Sequence, residues 1–112
     1  MVLFDARLQS RLEYEQEQTV ARVLFDTGAL SANYVSKRWF NEVKSKIDDI
    51  NIFRQRTRVR MADSVTVQDT DTAVRMTLVL SDKDGNPVNY TGNFVVLDME
   101  HNDVIVWAYL LL

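Results

Sequence analysis

Arg54, Arg56, Arg58 and Arg60 occupy alternate positions in the run Arg54-Gln55-Arg56-Thr57-Arg58-Val59-Arg60. In an extended strand alternate residues share a face, so the spacing predicts four guanidiniums projecting to one side. Such a stripe suits an acidic protein surface, a phosphate group or nucleic acid. It equally suits a solvated sheet face, with arginine stems covering apolar surface and heads paired to Asp63, Asp69 or Asp71. Edge strands carry charge of this kind to discourage edge-to-edge pairing. No glycine-rich phosphate loop accompanies the run, which counts against a nucleotide site.

Catalytic chemistry is poorly provided for. The chain has no cysteine and one histidine, which excludes a thiol nucleophile and leaves no cysteine-based or histidine-rich metal site. Neither a metal nor a cofactor is expected. His101, flanked by Glu100 and close to Asp103, falls in a turn-like segment and reads as a turn residue. Asp98 and Tyr90 are the pocket candidates, because a buried aspartate can act as a general base. Trp107 and Tyr109 read as core or interface aromatics and join the arginines as candidate interaction residues. No nucleophile, base and orienting group can be assembled, so the chain reads as a non-enzyme. Asn89-Tyr90-Thr91 matches a glycosylation acceptor pattern short enough to arise by chance.

The elements that position these residues follow from composition and period. At 112 residues, 46% hydrophobic, with three glycines and one proline, the chain reads as one folded domain, 1–112. Its net charge of -3 argues against wrapping nucleic acid with the whole surface. Four of the six cations beyond residue 50 nevertheless fall within 54–60. The opening Met1-Val2-Leu3-Phe4 meets Asp5 and Arg7 at once and does not read as a leader. The longest apolar run, Val104 to Leu112, is about half a membrane span.

Leu8, Leu12, Gln16, Val20 and Val23/Leu24 return at three- and four-residue intervals and predict a helix over 3–26. Gly28 follows as a stop. Val35, Trp39, Val43, Ile47 and Ile50 predict a second helix from Ala29 to Asp49. The helical part is thus 3–49, and the antiparallel sheet is 52–112. Its strands are expected at 52–60, continuing over 64–68 past a bulge at Ala62-Asp63, and at Thr72–Ser81, Val88–Met99 and Val104–Leu111. Asp82 to Pro87 is the clearest turn. A tight turn at His101-Asn102 would set Leu97 opposite Val106 and Val96 opposite Trp107. The fold class is α+β, two N-terminal helices packed on a curved antiparallel sheet of about four strands. Val95 to Leu97 and Ile105 to Leu112 are apolar on both faces, so either the sheet closes on a core or a partner chain covers the second face.

That order of elements resembles the cone-shaped fold of nuclear transport factor 2. Within that superfamily, Ala29-Leu30-Ser31-Ala32-Asn33-Tyr34-Val35-Ser36-Lys37-Arg38-Trp39-Phe40 resembles the helix of VirB8-type subunits of type IV secretion and conjugation machines. Asn102, Val106 and Tyr109 are similar to their closing strand, without the proline and glycine that follow the asparagine there. The resemblance implies a non-catalytic assembly or scaffold domain in the cell envelope, with protein partners and a homo-oligomer or larger assembly. It implies contact with the membrane only through a further segment or a partner. Outside that resemblance the expected compartment is the cytoplasm. Other members of the superfamily are small-ligand binders or enzymes, which would place Tyr90, Asp98, Trp107 and Tyr109 around a pocket. A phosphate or nucleic-acid binder using Arg54 to Arg60 is the third alternative.

Overall fold

Period-two alternation reaches further toward the amino terminus than the helical spacing suggests. The computed structural model describes residues 2–8, 19–26, 32–46, 50–60, 65–81 and 84–107. Strands β1 (Val2–Leu8) and β2 (Thr19–Asp26) stand where a first helix is predicted. Over so short a stretch both periods fit. Val20, Val23 and Leu24 satisfy a helix, while Ala21 and Val23 around Arg22 satisfy a strand. Burial follows the strand, with Ala21 and Val23 inside and Arg22 exposed. Residues 9–18, which would carry the middle of that helix, and Gly28 lie outside the described residues.

The second predicted helix divides at Ser36. Strand β3 (Asn33–Ser36) precedes helix α1 (Lys37–Val43) and a single 3-10 turn, Lys44–Lys46. Val35, Trp39 and Val43 keep their helical spacing and are all buried, yet Val35 is on the strand. Ser36 caps the helix, its Oγ accepting the Trp39 N–H at 3.3 Å. A serine before an apolar helical run is the ordinary start signal. The remaining strands are β4 (Asn51–Arg60), β5 (Val67–Ser81), β6 (Pro87–Leu97) and β7 (Val104–Trp107). Two N-terminal helices on an antiparallel sheet of about four strands are therefore not the fold of this chain. The described residues form a mixed sheet of seven strands with one short α-helix.

The sheet order is β1-β2-β7-β3-β6-β5-β4, and β1 also pairs with β5 through Arg7–Val79 and Leu8–Leu78. Six strands thus close into a ring, and β4 continues along the same edge of β5 that β1 occupies. The β2–β7 and β3–β6 pairs are parallel and the others antiparallel. β6 and β7 do not form a hairpin, because β3 lies between them. Val96 stands opposite Val35 and Leu97 opposite Ser36, while Trp107 stands opposite Asp26. Asp103 fastens this arrangement. Its N–H donates to the Arg22 carbonyl at 3.0 Å, its carbonyl accepts the Ser36 N–H at 2.7 Å, and its carboxylate accepts the Arg22 N–H at 2.8 Å.

The ring is filled. Val23, Val35, Val74, Met76, Leu78, Phe94, Val104 and Val106 are buried in one cluster, to which α1 adds Trp39, Phe40 and Val43. Closure turns these buried apolar side chains inward, the arrangement of small barrels. A second cluster of Tyr34, Val59, Val95 and Leu97 lies on the other face of β6. The two-sided apolarity of β6 is therefore covered from within the chain.

Candidate functional site

The arginine run forms a strand as its spacing predicts, but it does not present one face. In β4 the register runs from Arg54 opposite Thr72 to Thr57 opposite Thr70, so β4 carries one extra residue there. This β-bulge reverses the alternation. Directly opposed residues share a face. Arg54 accordingly stands on the face of Thr72 and Val74, while Arg58 and Arg60 stand with Asp69 and Val67 on the opposite face. Arg56 is within the bulge. All four are exposed.

Past Thr72 toward its amino-terminal end, β5 leaves β6 and runs with β4 as a two-stranded ribbon. Side chains replace the missing ladder. The Gln68 amide donates to the Asp98 carbonyl at 2.9 Å and accepts the Asp98 N–H at 3.0 Å, as a backbone peptide would. The Thr70 hydroxyl donates to the Val96 carbonyl at 2.8 Å. Val59 closes the ribbon onto Tyr34, Val95 and Leu97. Burial there pushes the Tyr34 hydroxyl above its ordinary pKa.

Between ribbon and barrel lies an open cleft of about 760 Å³. Among the described residues its lining holds three cations (Lys37, Arg56, Arg58) and three carboxylates (Asp69, Asp71, Asp98), which balance one another. Arg58 spends its guanidinium on Asp69 in a two-point contact, Nε to Oδ1 at 2.8 Å and Nη2 to Oδ2 at 3.3 Å. That hydrogen bond raises the Arg58 pKa and holds Asp69 below the usual carboxylate range. The pair is fully exposed and contributes little to stability. A balanced cleft and a split arginine series do not concentrate positive potential for phosphate.

Asp98 is exposed in this cleft, not the buried acid that a pocket base would be. Tyr90 is elsewhere, in a smaller recess of about 380 Å³ shared with Asn33, Phe94 and Trp107. The two pocket candidates therefore do not share a site. Asn33, missed in the sequence, organises the recess. Its side-chain amide donates to the Tyr90 hydroxyl at 2.7 Å and its oxygen accepts the Trp107 backbone N–H at 2.8 Å. Tyr90 packs edge-on to Phe94 and lies across Gly92, where a Cβ would approach the phenol oxygen to 3.0 Å. These contacts fasten the wall of the barrel. Trp107 belongs to that wall, between β2 and β3, and Tyr109 lies outside the described residues, as do Ala62-Asp63 and residues 108–112. His101 and Glu100 are exposed, and the Asp103 carboxylate serves the Arg22 N–H.

Among the described residues no group of histidines and carboxylates is placed to hold a metal. No helix among them is long and apolar enough to cross a membrane. No protein-family model, curated protein or solved structure matches the chain.

Proposed function

We propose that the chain is a non-catalytic assembly module that works by protein–protein contact along the outer edge of β4. One observation carries this. The ten residues of β4 pair with β5 on one side, and no strand among the described residues pairs with the other. A row of backbone donors and acceptors so presented is a template for a partner strand. Of the apolar last strand, the other contact surface suggested by the sequence, the described part, β7 (Val104–Trp107), is already paired on both sides within the ring. This reading rests on the β4 edge and not on the resemblance to secretion-machine subunits, of whose motif Tyr34 and Val35 stand on β3.

A filled barrel and a charge-balanced cleft make small-ligand or phosphate binding the weaker alternatives. The test is a photo-activated cross-linker placed at Gln55 on the β4 edge, in the cells that make the protein. A control probe replaces Val88, which is 46% exposed on β6. Discrete protein adducts at Gln55 and none at Val88 are expected. Adducts at neither position, or equally at both, overturn the proposal.

A further inference from the structure

The ribbon meets the barrel across a contact that two copies of the chain can share. We infer that the edge of β6 at residues 96–98 accepts the ribbon of a second copy, so that two chains exchange their β4–β5 ribbons and dimerise.

The ladder between β5 and β6 ends at Ala73 opposite Val95. Past that pair, ribbon side chains meet the β6 backbone. Gln68 donates to the Asp98 carbonyl and accepts its N–H, and Thr70 donates to the Val96 carbonyl. Val59 sits as an apolar plug among Tyr34, Val95 and Leu97. A surface that fits this ribbon fits the ribbon of an identical chain contact for contact, so a second copy needs no new complementarity.

The bend lies where exchange needs it. The β4 bulge falls between Arg54 and Thr57, opposite Thr72 and Thr70, and the β5–β6 ladder stops at the next residue, Ala73. Both strands therefore leave the barrel at one level. A bulged strand bends, and a few residues at the end of an element can absorb a rigid swing. β4 and β5 stay paired on either side of the bend, 51–54 with 72–75 and 57–60 with 67–70, so the ribbon can move as one piece. Closed monomer and exchanged dimer share their docking contacts, and the balance between them is set by the bend and by concentration. The outer edge of β4 travels with the ribbon in both forms, so the inference stands apart from the role proposed for that edge.

The experiment places a diazirine analogue of leucine at position 59 of the full chain, in an equal mixture of unlabelled and heavy-isotope-labelled protein. The two are unfolded together, refolded at concentrations from micromolar to millimolar, irradiated and read by mass spectrometry. At low concentration, cross-links from position 59 to the peptide holding Val95 and Leu97 should join like isotopes. At high concentration they should join light to heavy chains, rising toward about half of the total, as random pairing of two labels gives. Light scattering of the unmodified chain should show dimers growing in step.

The variant Q68A/T70V weakens the same docking in both forms. It should lower the total yield of these cross-links, with the light-to-heavy share at each concentration within about twofold of the parent's. Like-isotope cross-links alone at every concentration overturn the inference. Dimers whose cross-links stay within one isotope overturn it also, since the copies then meet at another surface. Loss of the light-to-heavy links alone in Q68A/T70V overturns it too, because the contact between copies would then differ from the one within the chain.

Discussion

β5 is one strand of fifteen residues with two different lives. From Ala73 to Ser81 it is a barrel stave, paired with β6 along its length and burying Val74, Met76, Leu78 and Leu80. From Val67 to Thr72 it belongs to the ribbon, pairs only with β4, and carries Gln68, Asp69, Thr70 and Asp71. The first half is held by desolvated apolar area, which scales with burial. The second is held by side chains acting as substitute backbone and by the apolar anchor Val59. Local stability tracks buried apolar contact, so the ribbon is the part of the fold able to adapt to a partner.

The sharpest way to separate the two regions is to cut one from each. Phe94→Ala empties the fully buried centre of the barrel and should cost about 3–5 kcal/mol in chemical denaturation. Asn33→Ala removes the acceptor of the Trp107 N–H and the donor to Tyr90, and should cost about 1–3 kcal/mol. A larger loss from Asn33 than from Phe94 would mean that the wall, not the core, governs the barrel.

On the ribbon, Gln68→Ala should cost about 1 kcal/mol in thermal melting. It should also speed hydrogen exchange at the Asp98 amide, with the Ala73–Ser81 amides unchanged. Exchange rising equally in both halves would deny that they are distinct.

The smallest effect is in pH. Asp69 is held below the carboxylate range by Arg58, so its folded state binds fewer protons than the unfolded state in that window. Its contribution is present above the ordinary carboxylate pKa and lost as pH falls through the lowered value. Carbon-detected titration of the Asp69 side chain should show the depressed midpoint, and Arg58→Gln should return it to normal. Tyr34 acts at the other extreme. Its raised value means stability present below the ordinary tyrosine pKa and lost as pH climbs past it.

What the sequence discloses here depends on whether a period is long enough to be unambiguous. Residues 52–60, 72–81 and 88–97 alternate over many positions, and each is a strand. The turn at Gly85, with φ +81°, announces itself by glycine and by the proline that follows. β3 was hidden because four residues cannot establish a period, and Val35 happens to continue the spacing of Trp39 and Val43. Only Ser36 marked the boundary. β2 was hidden because Val20, Val23 and Leu24 keep a helical spacing while Ala21 and Val23 around Arg22 keep that of a strand.

The candidate site shows the same limit. Four arginines at alternate positions are plain in the sequence, yet the bulge at Gln55-Arg56 carries no glycine to mark it and reverses their faces. Nothing local distinguishes Gln68, whose amide completes a strand ladder thirty residues away in sequence. The insertion of β3 between β6 and β7 is a long-range choice, and the short link at 100–103 alone argues for a hairpin instead.

The open edge of β4 is the claim on which the functional account stands, and native-state hydrogen exchange across a range of protein concentrations measures it without a partner. Alternate amides along Asn51–Arg60, those turned away from β5, should exchange rapidly at every concentration while their neighbours stay protected. Uniform slow exchange along the whole strand would show that the edge is already covered, and the account would fail.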